Sequence, residues 1–276
     1  TRVFDDKATS MQRQGRFGTF SSVRGQEASV VGAASTLDPA KDWIDPQYRE
    51  FPALIRHGYP IENFALYFMG NPKGGTIPPN VNMLPMQISL AAQIPQATGL
   101  AWGLKMQGGD GVVITFFGDG ASSEGDFHES LNLAGIMKAP VIFFLQNNGW
   151  AISTPRENQT AARSFAERAI GYGVEGVMVD GNDLLAVHEV TAQAVAKDST
   201  SLGIVLGGSG NGEQIAANKV EGIRAALVWN ESTAKLARDH NNANVIAVGG
   251  RMHEFSLVKE IIDTFIAHPF SEDERH

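Results

Sequence analysis

Short runs that are apolar along their whole length, each broken by a glycine turn, recur through the second half of this chain. GVVITFF (111–117) ends in GDG, PVIFFLQ (140–146) ends in NNG, LGIVLGG (202–208) ends in SGNG, and ANVIAVGG (243–250) ends in a glycine pair. A strand with one wet face alternates apolar and polar residues; these do not, so both of their faces should be covered, as in a parallel sheet. Helix-length segments separate them, at 127–137, 161–170 and 183–197, then 231–240 and 254–267. VEGVMVDGND (174–183) and GIRAALVW (222–229) read as further strands. The expected class is therefore α/β, strand alternating with helix. The first hundred residues are loop-rich with helical stretches. Residues 69–85 carry four prolines and read as an extended loop, and a helix is expected over about 90–105.

The 276 residues correspond to one large or two small domains. Lys plus Arg is 22 and Asp plus Glu is 30, a net charge of −8 without a basic block. That balance argues against a general nucleic-acid or anionic-membrane surface, but leaves room for a small phosphate held by a few aimed donors. With no cysteine, disulfides, thiolate nucleophiles and cysteine-ligated zinc are excluded. The longest apolar runs are strand-sized, too short to span a membrane, and a cytoplasmic location is expected.

Candidate chemistry gathers at the ends of two of these strands. Gly118-Asp119-Gly120 and Asn147-Asn148 each follow an apolar run, where ligands of open α/β sheets bind. The 26 residues between Gly120 and Asn147 make a turn, a helix and a strand, which brings Asp119 and Asn148 side by side. One carboxylate and one amide oxygen, with positions left for phosphate oxygens and water, suit Mg²⁺. Glycines flanking Asp119 let the backbone approach a diphosphate. Alone, GDG or NNG is an ordinary turn; together at this spacing they form a candidate site. His57, His128 and His188 read as packed or surface histidines.

The stretch GDGASSEGDFHESLNLAGIMKAPVIFFLQNNGWAISTP (118–155) resembles the thiamine diphosphate motif. With VRGQEA (23–28), QYRE (47–50) and SLAAQIPQATG (89–99), residues 1–198 resemble the alpha subunit of thiamine diphosphate-dependent 2-oxo acid dehydrogenases acting on pyruvate or branched-chain acids. The resemblance implies a parallel-sheet cofactor-binding fold. It implies that Asp119, Asn148 and the Trp150 carbonyl hold Mg²⁺, and that Tyr48 and Arg49 meet the diphosphate. Gly118, Gly120 and Ala121 would line the diphosphate turn, with Leu90 beside the aminopyrimidine. A beta subunit, in a heterotetramer, would supply the glutamate that activates the cofactor. Two departures stand out. The histidine-bearing loop expected beyond residue 197 has no counterpart, and 70–79 lacks a histidine that some relatives carry.

From residue 201 the resemblance changes. SLGIVLGGSGNGEQIAANKVEGIRAALVWNESTAKLARDHNNANVIAVGGRMH, closing with PFSEDERH, is similar to the C-terminal half of ribose-5-phosphate isomerase type B, and implies a Rossmann-like segment over 199–276. A strand that breaks into a glycine loop offers successive N–H groups to an anion. The resemblance assigns that role to Ser209, Gly210 and Gly212, with Arg251, Arg275 and His276 as further phosphate partners. Glu213 is the candidate base, with His240 and Asn241 assisting. The family's N-terminal half, with its Asp-His pair, is absent. The chain therefore reads as chimeric, with domains 1–198 and 199–276. Three readings stay open: a cofactor-binding alpha subunit, an isomerase half, and a non-catalytic chimera that at most binds cofactor. The strand at 202–207 is expected to extend the sheet of the first segment.

Overall fold

A computed structural model describes residues 1–195, 203–207, 211–218, 223–249 and 252–270. The chain divides into two compact units, Thr1–Val195 and Ala196–His276.

In the first unit, α1 (Arg2–Arg13) and α2 (Glu27–Ala34) precede the short strand β1 (Trp43–Asp45). Then come α3 (Phe51–Arg56), α4 (Ile61–Phe68) and α5 (Gln93–Met106). Strand β2 (Val113–Gly118), helix α6 (Gly125–Met137) and strand β3 (Val141–Gln146) follow. A two-residue hairpin, β4 (Trp150–Ala151) and β5 (Thr154–Pro155), leads to α7 (Phe165–Ile170) and α8 (Leu184–Val195).

Strands β1, β2 and β3 form one parallel sheet in that order, with Asp45 paired to Thr115 and Thr115 to Phe143. Alternation divides its side chains between two cores. Ile44, Ile114 and Phe116 face a large cluster with Phe51, Leu54, Phe64 and Val187, drawn from α3, α4 and α8. On the other face Val113 packs on Ala97 and Ala101 of α5, and Phe117 on Phe127 and Leu131 of α6. A sheet covered by helices on both sides is why β2 reads as an unbroken apolar run.

Three expectations are corrected in this unit. The first concerns 174–183, which is irregular rather than a strand. Gly176 lies so close to α7 that a Cβ there would overlap the Ala166 carbonyl, so the segment packs on that helix while Val177 and Met178 stay exposed. Strand β3 therefore has one neighbour among the described residues and is half-buried, not enclosed. Second, α5 starts at Gln93 rather than near 90, because Ala91 is left-handed at φ 65° and interrupts the helix. Third, α7 starts at Phe165 rather than 161, where the Ser164 hydroxyl caps the Glu167 N–H at 3.1 Å. Strand β1 has no counterpart among the apolar runs: three residues ending in an aspartate give too short a signal. Asp183 caps α8, its Oδ1 accepting from the N–H groups of Leu185 and Ala186.

The second unit holds β6 (Gly203–Gly207), α9 (Asn211–Ala217), β7 (Ala225–Leu227), α10 (Glu231–Asn241), β8 (Val245–Gly249) and α11 (Phe255–Ala267). Its sheet is parallel, in the order β6-β8-β7. Strand β6 thus pairs with β8 and does not extend the first sheet. A fully apolar strand pairs with whichever parallel partner its own helices bring alongside, and here that partner is β8. Ala234 and Ala237 of α10 and Val258, Ile261 and Phe265 of α11 cover Ile246 and Val248. A capping box between Asn230 and Thr233 starts α10. Among the described residues no helix is long and apolar enough to cross a membrane.

Candidate functional site

Strand β2 delivers Gly118 to the carboxyl edge of the first sheet, and a single 3-10 turn, Asp119–Ser123, follows. Asp119 is 1% exposed. Its Oδ2 accepts a 2.6 Å hydrogen bond from Gln159 Nε2, and its carbonyl accepts the Ser122 hydroxyl at 2.7 Å. Arg168 of α7 clamps the turn from outside, donating to the Ser122 hydroxyl at 2.8 Å and to the Ser122 carbonyl at 2.7 Å. The same guanidinium donates to His128 Nε2 at 3.0 Å, and His128 Nδ1 meets the Tyr172 hydroxyl at 2.7 Å. Arginine only donates, so Nε2 must accept and His128 is the neutral Nδ1–H tautomer. Burial, then the Arg168 charge, pushes its pKa down, in agreement. His128 thus supports the turn. His57, against the Asp42 carbonyl at 3.0 Å, and His188, against the Ser35 hydroxyl at 2.7 Å, are packed in the helical layers.

Strand β3 delivers Asn147 and Asn148. Asn148 Oδ1 accepts the Trp150 N–H at 3.2 Å, and the hairpin β4–β5 folds back over the Asp119 turn. The approach is tight: a Cβ on Gly120 would lie 2.7 Å from the Ala151 Cβ. Between the turn and the hairpin is a cavity of about 310 Å³ lined by Leu90, Gly120, Ser123, Glu124, Ala151 and Gln159, among others.

The fold therefore gathers Leu90 and the Gly118–Ala121 turn with the β4–β5 hairpin that follows Asn148. Tyr48 and Arg49 follow β1, adjacent to β2 in the sheet and running the same way, so they too lie past a carboxyl edge. They do not line the cavity; the Arg49 guanidinium sits over the Tyr48 ring at 5.8 Å, with its Nε buried and unpartnered. The donor set fits a hard divalent cation and an anion: a carboxylate and an amide oxygen for one, an incompletely paired guanidinium for the other. Gln159 escaped the sequence reading. It carries no motif of its own, and only the folded hairpin carries it to Asp119.

In the second unit, Gly212 and Glu213 lie in the first turn of α9, just past the carboxyl end of β6. His240 and Asn241 are exposed at the end of α10, just before β8 begins. Because β6 and β8 are parallel and in register, these two pairs lie at opposite edges of the sheet within one copy. Ser209, Gly210, Arg251, Arg275 and His276 lie outside the described residues.

Compared with known families, residues 1–206 match the profile described as "Dehydrogenase E1 component". The chain belongs to that family. Residues 162–276 match a second profile, "Ribose/Galactose Isomerase", and the chain is chimeric. The E1 component segment is 46% identical over 194 residues to proteins of Staphylococcus epidermidis and Staphylococcus aureus named pyruvate dehydrogenase E1 component subunit alpha. The match takes in 70% of this chain and 52% of theirs, so the chain spans about half the length of the curated relatives it matches. Ribose-5-phosphate isomerase B of Giardia lamblia aligns at 36% identity, over 38% of this chain and 75% of its own, with a TM-score of 0.29. The type B enzyme of Trypanosoma cruzi aligns at 31% identity, over 59% and 89%, with a TM-score of 0.31. Superpositions this loose carry no structural argument.

Proposed function

We propose that the chain is a Mg²⁺- and thiamine diphosphate-binding alpha subunit of a 2-oxo acid dehydrogenase, acting on pyruvate or a branched-chain 2-oxo acid with a separate beta subunit in a heterotetramer. The observation that carries this is the buried Asp119 at the carboxyl end of β2, with Gly120 pressed against the hairpin that follows Asn148. The E1 family's thiamine diphosphate dependence supports the choice of cofactor. Asp119, Asn148 and the Trp150 carbonyl would hold the cation. Tyr48 and Arg49 would meet the diphosphate, and Gly118, Gly120 and Ala121 would let the backbone approach it. Leu90, at the cavity wall, would pack on the aminopyrimidine. When bound, thiamine diphosphate supplies the nucleophilic carbon and the electron sink for loss of CO₂. The chain's own share is to orient the cofactor and keep water from it. Residues 1–198 form the functional unit in this proposal, in the cytoplasm, with 199–276 as a separate one.

Calorimetric titration of the full chain with thiamine diphosphate, with and without Mg²⁺, is the test. Saturable, Mg²⁺-dependent binding is expected, weakened more than about 100-fold in Asp119→Ala. Binding indifferent to Mg²⁺ and to Asp119 would remove the proposal.

The second profile favours one further reading, a ribose-5-phosphate isomerase half. There Glu213 would be the base and His240 and Asn241 would assist. Ser209, Gly210, Gly212, Arg251, Arg275 and His276 would hold the phosphate. The opposite-edge placement of Glu213 and His240 leaves that site unassembled within one copy. Turnover of ribose 5-phosphate is therefore expected to be absent; turnover abolished by Glu213→Gln would establish this reading instead.

A further inference from the structure

Asp119 and Asn148 sit on separate turns at the ends of the paired strands β2 and β3. Gln159 ties the Asp119 turn to the hairpin that follows Asn148. It follows the 3-10 turn Arg156–Asn158, which is tied to the turn after Asn148 by a 3.0 Å bond from the Arg156 N–H to the Gly149 carbonyl. One side-chain N–H bond of Gln159 goes to Asp119 Oδ2 at 2.6 Å and another to the Thr154 carbonyl at 3.1 Å. Both acceptors lack hydrogens when Asp119 is ionised, which fixes the amide with its nitrogen toward the carboxylate. Its Oε1 is buried without a hydrogen-bond partner, beside the cavity that Gly120 also lines. An amide that leaves its own oxygen unsatisfied while bracing a buried carboxylate costs stability. A carboxylate poised to ligate a cation gains from such a brace, because its rotamer and lone pairs are set before the cation arrives.

We propose that Gln159 is a positioning residue that fixes the Asp119 carboxylate for a divalent cation and couples the Asn148 hairpin to it. This rests on the cation-binding role proposed above for Asp119. Gln159 touches neither the substrate nor the reacting atoms; it acts through Asp119.

The test is the Mg²⁺ requirement for thiamine diphosphate binding by the full chain, measured calorimetrically at a fixed, saturating cofactor concentration. In Gln159→Met, the half-saturating Mg²⁺ concentration is expected to rise about 10- to 100-fold. The melting temperature without cofactor and metal should stay within a few degrees. Gln159→Glu removes both N–H donors and sets a second carboxylate against Asp119, so its Mg²⁺ requirement is expected to rise as well. A merely structural glutamine would lower the melting temperature in both variants and leave the Mg²⁺ requirement of the folded protein unchanged; that outcome overturns the inference. So does an unchanged Mg²⁺ requirement in Gln159→Met. If the unaltered chain binds cofactor without regard to Mg²⁺, the cation-binding role of Asp119 falls first, and the positioning role with it.

Discussion

Replacing Asp45 with asparagine is expected to stabilise the first unit by about 5 kcal/mol at pH 8 and by only about 1–2 kcal/mol at pH 5. Asp45 ends β1 with its side chain on the face covered by α5, where neighbouring Trp43 and Val113 pack on Ala97 and Ala101. It is fully buried, and neither carboxyl oxygen has a hydrogen-bond partner. Burial raises its pKa from 3.8 to about 8, and the Ala97 backbone opposes this without cancelling it. Thr115, its register partner on β2, also leaves its hydroxyl unpaired, so the two polar groups share an apolar niche.

The unfolded chain releases this proton near pH 3.8 and the folded chain near 8. Between those values the folded state holds the extra proton, so stability falls as pH rises through the window. Asparagine keeps the shape of the protonated acid and has nothing to release. Urea unfolding of both proteins at pH 5, 6.5 and 8 should show the gap widening with pH. For a unit of this size, 5 kcal/mol corresponds to about 10–20 °C in melting temperature. A gap that did not change with pH would mean that the carboxyl is ionised and solvated in the folded protein.

The second large effect concerns two helical glycines that composition cannot tell apart. Gly135 in α6 faces the segment after α7 so closely that an added Cβ would overlap the Tyr172 carbonyl oxygen. A backbone atom cannot rotate aside, so Gly135→Ala must displace the Tyr172 segment or the helix. A loss of about 3 kcal/mol or more is expected. Because Tyr172 holds His128, which contacts the clamp residue Arg168, the Asp119 turn should loosen too. Gly103 in α5 has open space where its Cβ would go. Gly103→Ala should therefore gain about 0.5–1 kcal/mol from helix propensity alone. Thermal melts of the two single variants give the comparison. Equal signs would show that the α6 contact relaxes at little cost.

Much of the architecture was legible because it depends on local pattern. Unbroken apolar runs identified β2, β3, β6 and β8. One turn, one helix and one strand between the Asp119 and Asn148 turns imply neighbouring strands, and β2 and β3 do pair. Where local signal was weak, the reading failed. The strand expected within 174–183 has the right composition, but Gly176 lets it lie against α7, and that contact is invisible along the chain. Strand β1 has three residues and a charge, and exists because β2 offers it an edge.

What the chain's own pattern settles is the α/β class, the two-family organisation and the identity of the turn that carries Asp119, since each is written in contiguous residues. Three matters were left to tertiary packing: which strands pair, the bracing of Asp119 by Gln159 across 40 positions, and the burial of Asp45 without a partner. All three depend on distances between segments far apart in sequence. A parallel strand carries its apolar pattern equally well beside any neighbour, so pattern alone could not place β6 beside β8 rather than in the first sheet.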